Sequence, residues 1–442
     1  MPFSIDRVGQ VVAKRADRLA IDRFFSINDL PEVITLVWNG SHVKHTLWTL
    51  MPNGSIFETE LNSHSGGPEL ALASYSPSRV VSMNRSGPAG ALKFEAWETG
   101  GIFELSDDAL APADRAPEMV AMGGVPPDMI LSSPPPQVAT AAKSAKLRGS
   151  AGTSPHKNAP PQPPGGSKKK VVVVDNINIG MGPKAGHAVV AAITQGFDLR
   201  VSLWAFDDGG DFKMNAVQMA EGNGGSAVSH TSIVKIKEEW ADTVRGPMVK
   251  TAEVVTASVV SNGPHQLKVQ RWRVSRPWGA PPNHTPAAVE LLSEHIAPEI
   301  VQRVAAAPVT AFSGTQVATV VQLVGGSLKI IGWKMESNGT ITRWTDTTAT
   351  GLVSGVSAAR VRGRNIVTAL READGRFKIS YWRFPTTLSG AIEHRGDAVE
   401  GPIGSSVRCT HIPGVGSQLG NTVAATQTDE GKLQLFRYKV TE

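Results

Sequence analysis

The sequence has a single cysteine and no long apolar run, and each of these absences excludes a kind of site or segment. Its 442 residues include a single cysteine, Cys409, which excludes an internal disulfide framework and a cysteine-based zinc site. No run approaches about 18 consecutive apolar residues, so no membrane span is predicted. The N-terminus has no apolar signal core and carries Asp6 early, so we expect a cytoplasmic protein, with secretion by an unrecognised route left open.

The excess of positive over negative charge lies in one segment. The net charge is +5, but residues 132–170 contain seven basic residues and no acidic residue, so the remaining residues together carry −2. A duplex-binding surface needs clustered positive charge on the folded part of the protein. The sequence therefore predicts no partnership with duplex nucleic acid.

The basic segment is rich in Pro, Ser, Ala and Lys, and it has no aromatic residue. Such a composition buries too little apolar surface to offset the entropy of ordering, so residues 132–170 are predicted to be a disordered linker. A passive insertion is one interpretation of this linker. The other is a tether whose prolines dock an SH3-like partner or whose lysines dock an acidic one.

The rest of the chain alternates β-branched or aromatic residues with Gly/Asp turns, which is a strand pattern. The pattern is clearest from Arg364 to Gly401, where three strand-like runs follow one another. An aromatic residue near the end of one run recurs along the chain at Trp48, Trp97, Trp204, Trp272, Trp333, Trp382 and Phe436. Two of the intervals are 49 residues, which indicates four-stranded repeats of about 50 residues.

These seven aromatic residues, called the aromatic marks, predict seven such units. The last unit stops at Glu442 after its third strand. The N-terminal stretch from Pro2 to Arg7 resembles the missing fourth strand, so we expect it to complete the last unit and close the ring. The fold class is therefore an all-β, closed seven-bladed β-propeller interrupted by one linker. Residues 1–131 are expected to form blades 1 and 2 plus the closing strand, and residues 171–442 blades 3 to 7.

The repeat VVTAxxxxxGxLKxxxWxxxxxGxIxR resembles those of uncharacterised bacterial seven-bladed propeller proteins. The resemblance covers nearly all of the chain outside residues 111–170. The Trp-Asp, kelch and Asp-box signatures of named propeller classes are missing. The resemblance therefore implies a fold and names no function.

Catalytic and cofactor motifs are also missing. The glycines from Gly180 to Gly186 follow an apolar strand, but their spacing exceeds that of a dinucleotide fingerprint and the next segment has a strand pattern. Without a helix N-terminus, nothing there would hold a pyrophosphate. We predict no cofactor and no metal, and the absence of a catalytic motif favours a non-catalytic protein without deciding the question.

The aromatic marks are interpreted as core residues that pack unit against unit, rather than as sugar-binding platforms. Trp278, in a proline-rich loop, is the better candidate for an exposed ring. Polar residues on predicted inner strands or in turns at the mouth of the central channel are the other candidates for a binding site. These candidates are His64, His230, His295, Arg303, Arg360, Arg395, Asp397, Arg408 and His411, with Asp346 in a similar turn.

The leading functional hypothesis is a non-catalytic binding or scaffold propeller that presents its top face to a protein, a glycan or a small polar ligand. An enzyme that uses Arg, His and Asp in the central channel is the first alternative, by similarity to bacterial natural-product enzymes that carry propeller domains. A propeller lectin is the second alternative.

Overall fold

The computed structural model describes residues 3–24, 30–68, 70–76, 79–86, 91–98, 169–177, 187–195, 198–208, 214–225, 228–241, 249–260, 263–277, 287–310, 315–387, 389–414 and 419–441. Regular secondary structure within these residues consists of twenty-five β-strands and no α-helix. The all-β prediction is therefore confirmed for the described part of the chain. The predicted linker lies outside it, except that Lys169 and Lys170 already belong to a strand.

The first three sheets are antiparallel, with strands neighbouring one another in chain order. Unit 1 consists of β2 (Arg18–Phe24), β3 (Glu32–Trp38), β4 (His42–Leu50) and β5 (Ile56–Ser65). Unit 2 has three described strands, β6 (Leu70–Ser76), β7 (Arg79–Ser86) and β8 (Ala91–Glu98). Unit 3 consists of β9 (Lys169–Ile177), β10 (His187–Gln195), β11 (Asp198–Asp208) and β12 (Met214–Asn223).

Units 4, 5 and 6 form one continuous ten-stranded sheet. Its strands are β13 (Val228–Ala241), β14 (Val249–Val260), β15 (Gln266–Pro277), β16 (Ala288–Val309), β17 (Thr315–Leu323), β18 (Ser327–Met335), β19 (Ile341–Arg360), β20 (Asn365–Glu372), β21 (Arg376–Arg383) and β22 (Glu393–Pro402). Strand β16 pairs with β15 up to Ile300 and with β17 from Val301 onward. It is thus the outermost strand of unit 4 and the innermost strand of unit 5, and β19 joins units 5 and 6 in the same way.

Unit 7 combines the two ends of the chain. It contains β23 (Val407–Pro413), β24 (Gly420–Gln427) and β25 (Lys432–Thr441), and its fourth strand is β1 (Ser4–Arg15). Strand β1 pairs antiparallel with β25, with Ser4 opposite Thr441 and Arg15 opposite Lys432. The predicted pairing of the N-terminal strand with the last strand is confirmed. The strand continues eight residues beyond Arg7, so more of the N-terminus is committed to it than the sequence pattern indicated.

Neighbouring sheets pack face to face. One cluster of buried side chains joins unit 7 to unit 1 through Val423, Val33 and Trp48, and another joins units 6 and 7 through Tyr381 and Tyr438. The innermost strands β2, β6, β9, β13, β16, β19 and β23 contact one another in this order, and β23 also contacts β2. Each inner strand therefore contacts the inner strands of two other units.

The predicted core role of the aromatic marks is confirmed where their side chains are described. Trp48, Trp272 and Trp333 have no exposed surface, and Trp382 and Phe436 are also buried. Trp204 is half-buried, and the side chain of Trp97 lies outside the described set. An aromatic ring buries more apolar area than any other side chain, so these positions anchor sheet-to-sheet packing.

Candidate functional site

Arginines converge at the centre of the molecule. Four inner strands that contact one another in sequence carry five of them: Arg303 in β16, Arg360 in β19, Arg408 in β23, and Arg18 and Arg23 in β2. All five side chains are exposed. The sequence analysis found Arg303, Arg360 and Arg408 on inner strands and missed Arg18 and Arg23. Their signal was present, because the sequence pattern places the inner strand of unit 1 at residues 19–24, with Arg18 directly before it and Arg23 inside it.

Arg18, Arg303 and Arg408, together called the arginine cluster, lie near the beginnings of their inner strands. Arg18 is the first residue of β2, Arg408 is the second of β23, and Arg303 follows the point at which β16 enters unit 5. Desolvation by the surrounding protein lowers the pKa of Arg408, and the positive charges of Arg303 and Arg18 lower it further. Many protein atoms therefore surround Arg408, although part of its side chain remains exposed.

The arginine cluster lacks carboxylate partners. No ion pair involves Arg18, Arg303 or Arg408 among the residues that the structure describes. Arg408 donates one hydrogen bond, to the carbonyl oxygen of Val407 at 3.0 Å. Arginine remains protonated well above neutral pH even when its pKa is lowered, so the cluster holds three like charges at pH 7.

Arg371 in β20 adds a fourth positive charge beside the arginine cluster. Desolvation is the main cause that lowers the pKa of Arg303, and the positive charges of Arg18 and Arg371 lower it further. Arg371 is held in place by hydrogen bonds to Ser354 Oγ at 2.7 Å and to the carbonyl oxygen of Ile403 at 3.3 Å. It therefore contributes charge from a fixed position.

A second group lies toward the ends of the inner strands. Arg360 donates a hydrogen bond to Thr310 Oγ1 at 3.1 Å. Desolvation lowers the pKa of Arg360, and the charge of Arg23 lowers it further. Positive charge thus extends from one end of β2 to the other.

His411 belongs to the same strand as Arg408 but faces away from solvent. Its side chain is 3% exposed, and its ring nitrogens lie 3.1 Å from Thr422 Oγ1 and 2.9 Å from the carbonyl oxygen of Leu419. Desolvation lowers the pKa of His411 to about 4, with a smaller contribution from the charge of Arg23. The imidazole is therefore neutral at pH 7 and supports the packing of unit 7.

The other predicted histidines occupy different places. His230 is half-buried in β13, the inner strand of unit 4. His64 is buried in β5, where its Nε2 lies 3.3 Å from Asn84 Nδ2 and its ring stacks on His45 at 5.5 Å. His295 lies in the outer half of β16, with its ring 5.1 Å from Trp333.

The expected turn positions of four polar residues are wrong. His64, His295, Asp346 and Asp397 lie in the outer strands β5, β16, β19 and β22 rather than in turns. The physical reason is that the outer strands are longer than the repeat pattern indicated, and two of them continue directly into the next inner strand.

Arg395 and Asp397 form polar contacts within unit 6. Arg395 pairs with Glu393 at 2.7 Å, and its guanidinium lies 5.6 Å from the ring centre of Phe3. Asp397 pairs with Lys378 at 2.8 Å and with His394 at 2.7 Å. Burial opposes ionisation of Asp397, but these donors outweigh it and hold its pKa below the usual value. Trp278, the remaining candidate, lies outside the described residues.

A cavity of about 210 Å³ lies between the side chains of unit 5 and those of unit 6. Thr347, Gly351 and Val353 of β19 line one side, and Leu370, Lys378 and Trp382 of unit 6 line the other. The sequence did not indicate this cavity, because its walls come from the outer strand of one repeat and the middle strands of the next.

The described ranges contain neither a cluster of metal ligands nor a membrane-spanning helix. No group of three His, Cys, Asp or Glu side chains there could hold a metal ion. No helix long and apolar enough to cross a membrane occurs among the same residues.

No family model matches this chain, and no curated protein matches it. Several solved structures are similar in fold. The N-terminal part of BBS1 in complex with ARL6 has 9% sequence identity, with 99% of this chain and 97% of that chain covered and a TM-score of 0.47. The β-propeller domain of Nup133 from Vanderwaltozyma polyspora has 7% identity, with 97% and 100% covered and a TM-score of 0.45. The SapL1 lectin in complex with α-methyl fucoside has 9% identity, with 88% and 97% covered and a TM-score of 0.39.

Similarity at this level says nothing about what the chain binds. The sheets themselves place the molecule among propeller-type all-β proteins, because successive antiparallel sheets pack face to face around their inner strands.

Proposed function

We propose that the protein is a closed seven-bladed β-propeller that acts as a non-catalytic binding or scaffold protein. It recognises an anionic group of its partner at the channel mouth, defined as the end at which the inner strands begin. The observation that carries the proposal is the arginine cluster, in which Arg18, Arg303 and Arg408 converge and form no ion pair with any carboxylate that the structure describes.

Closure of the ring has two supports. Inner strands contact one another in chain order, and the inner strand of unit 7 returns to that of unit 1. Strand β1 also covers the edge of β25, so the two ends of the chain join in one sheet. An exposed sheet edge invites pairing with other chains, and closure removes it.

Anion binding follows from the electrostatics of the cluster. Bringing guanidinium groups together costs free energy through repulsion and desolvation, and both effects act on Arg408. A bound carboxylate or phosphate relieves the repulsion and accepts paired hydrogen bonds from the planar guanidinium fork. Walls of low dielectric around the channel mouth would also focus the positive potential toward an approaching anion.

The same groups favour binding over catalysis. General acid–base chemistry needs a group whose pKa lies near the working pH. The charged groups described in and beside the arginine cluster are themselves arginines, whose pKa values lie far above neutral pH. The thiol of Cys409, next to Arg408 in the chain, has its pKa raised by burial to about 11. His411 is buried and neutral at pH 7. It therefore does not supply the exposed histidine that the channel-enzyme alternative requires in unit 7.

Isothermal titration with inorganic tripolyphosphate tests the anion site in the full-length protein. We expect binding that weakens as salt is raised. Arg303→Gln should reduce affinity about tenfold, since a hydrogen bond to a charged group contributes roughly 1.5–3 kcal/mol, and Arg408→Gln should act similarly. Arg395→Gln is the matched control, because Arg395 lies in outer strand β22.

Two results would contradict the anion site. One is no detectable binding by the wild-type protein. The other is equal affinity of the Arg303, Arg408 and Arg395 variants, which would mean that tripolyphosphate binds elsewhere.

A further inference from the structure

Three exposed apolar side chains lie together at the borders of unit 5. Ile300, Val324 and Leu352 have 45%, 54% and 52% of their surface exposed. The backbone N–H of Val324 donates to the carbonyl oxygen of Ile300 at 3.0 Å. A Cβ atom on Gly326, in the same turn as Val324, would lie 3.5 Å from Leu352 Cβ. These three side chains are called the apolar edge.

The apolar edge lies beside the arginine cluster. Ile300 precedes Arg303 by three residues in β16, and Arg303 is opposite Gln322 in the sheet. The side chain of Gln322 donates to the carbonyl oxygen of Val353 at 2.7 Å, and Val353 follows Leu352. The cluster and the edge therefore belong to the same end of unit 5.

Carboxylates near this surface are already paired. Glu299, next to Ile300, forms ion pairs with Lys329 at 3.0 Å and Arg343 at 2.6 Å. These pairs outweigh the opposing effect of burial and lower the pKa of Glu299. Asp17, next to Arg18, pairs with Arg15 at 3.1 Å. Neither of these two carboxylates therefore neutralises the arginine cluster.

The cavity between units 5 and 6 lies next to Leu352, because Gly351 and Val353, the two neighbours of Leu352 in the chain, both line it. Leu328, Leu370 and Trp382 form an apolar part of its wall, and the ion pair of Lys378 with Asp397 lies in the polar part. In protein interfaces, a large side chain that fills such a pocket often supplies much of the affinity.

We propose that the arginine cluster and the apolar edge together bind a peptide segment of a partner protein, in which acidic side chains alternate with large apolar ones. The inference rests on the proposed function and specifies its partner. Charge complementarity requires the acidic groups, and the apolar edge requires side chains that a phosphate chain or a sugar does not have. The acidic groups contact Arg303 and Arg408, while an apolar side chain covers Leu352.

Selection from a random-peptide phage library on the full-length protein tests the partner class. We expect enriched peptides that combine Asp or Glu with Leu, Ile, Met or Phe. The most enriched peptide is then synthesised, and its affinity is measured for Arg303→Gln and for the double variant Val324→Ser/Leu352→Ser. Each should bind about tenfold more weakly than wild type.

Val12→Ser is the matched control for the apolar edge. Val12 is 49% exposed but lies in β1, which belongs to unit 7. Its substitution should leave peptide affinity unchanged, and circular dichroism of every variant checks that the sheets are intact.

The failures of the two proposals are distinguishable. Enriched peptides that are acidic without apolar residues, or that bind the Val324/Leu352 variant as well as wild type, would overturn the apolar part and leave the anion site standing. Enriched peptides without acidic residues, or peptides unaffected by Arg303→Gln, would overturn the peptide inference, and the tripolyphosphate titrations then decide separately whether the anion site stands. Tripolyphosphate binding that the Val324/Leu352 variant retains would show that the substitutions spared the arginine cluster.

Discussion

The indole N–H of Trp333 donates a hydrogen bond to Thr319 Oγ1 at 2.9 Å, across two adjacent strands of unit 5 and inside the core. Three other units repeat the contact, with Trp48 on Thr35 at 2.8 Å, Trp272 on Thr256 at 3.0 Å and Trp382 on Thr368 at 3.0 Å. The threonine therefore supplies the acceptor that lets a polar indole nitrogen be buried.

Replacement of either partner should be costly. Trp333→Ala is expected to lower the free energy of unfolding by about 3–5 kcal/mol, as for other buried aromatics. Thr319→Val keeps the shape but leaves the indole N–H unsatisfied, which should cost about 1–3 kcal/mol. Urea unfolding followed by fluorescence measures both, with Thr350→Val on the exposed part of β19 as control. A Trp333→Ala variant of unchanged stability would mean that this ring does not hold the sheets together.

Loss of the N-terminal strand should open unit 7. Deleting residues 1–10 removes most of the pairing with β25, so we expect a lower Tm and aggregation through the exposed edge.

A single substitution in β1 tests the same closure. A Cβ atom on Gly9 would lie 2.1 Å from the carbonyl oxygen of Gly54, so Gly9→Ala should also lower the Tm. Gly401→Ala should not, because nothing lies within 4 Å of its added carbon. Unchanged melting of the truncated protein would refute closure through β1.

Acid should destabilise the protein through His411. Its folded-state pKa of about 4 lies below the ordinary value of 6.5, so between these pH values the unfolded chain binds more protons than the folded one. Stability contributed by the neutral imidazole is therefore complete above about pH 6.5 and declines toward pH 4, by about 3 kcal/mol in total.

Unfolding titrations at pH 7 and pH 4 measure this effect. Wild type should lose about 3 kcal/mol more than His411→Gln, which cannot take up the proton. His42→Gln, at an exposed position, should retain the wild-type loss. Equal pH dependence of wild type and His411→Gln would show that this imidazole is not buried in its neutral form.

Cys409 should be inert in the folded protein. Burial raises the pKa of its thiol to about 11, so little thiolate exists at pH 8 and a reagent has no access to it. We expect no reaction with Ellman's reagent in native buffer and one thiol per chain after denaturation in guanidinium chloride. Rapid labelling of the native protein would contradict the described packing between units 6 and 7.

Sequence periodicity was sufficient to predict the strands, the buried aromatic marks and the pairing of the N-terminus with β25. It also placed Arg303, Arg360 and Arg408 on inner strands, because charged residues interrupt otherwise apolar runs there. The convergence with Arg18 could not be seen in the same way, since it depends on which inner strands become neighbours in space. The turn assignments of His295 and Asp346 failed because β16 and β19 pass from one sheet to the next without a break.

That continuity has a consequence for how the molecule opens. Where a loop connects two sheets, one sheet can separate while its neighbour stays folded. Units 4, 5 and 6 cannot separate in this way, because β16 and β19 each form hydrogen bonds with strands of two units. In native-state hydrogen exchange, we expect the amides of units 4, 5 and 6 to share one opening free energy and to exchange together as a single cooperative block.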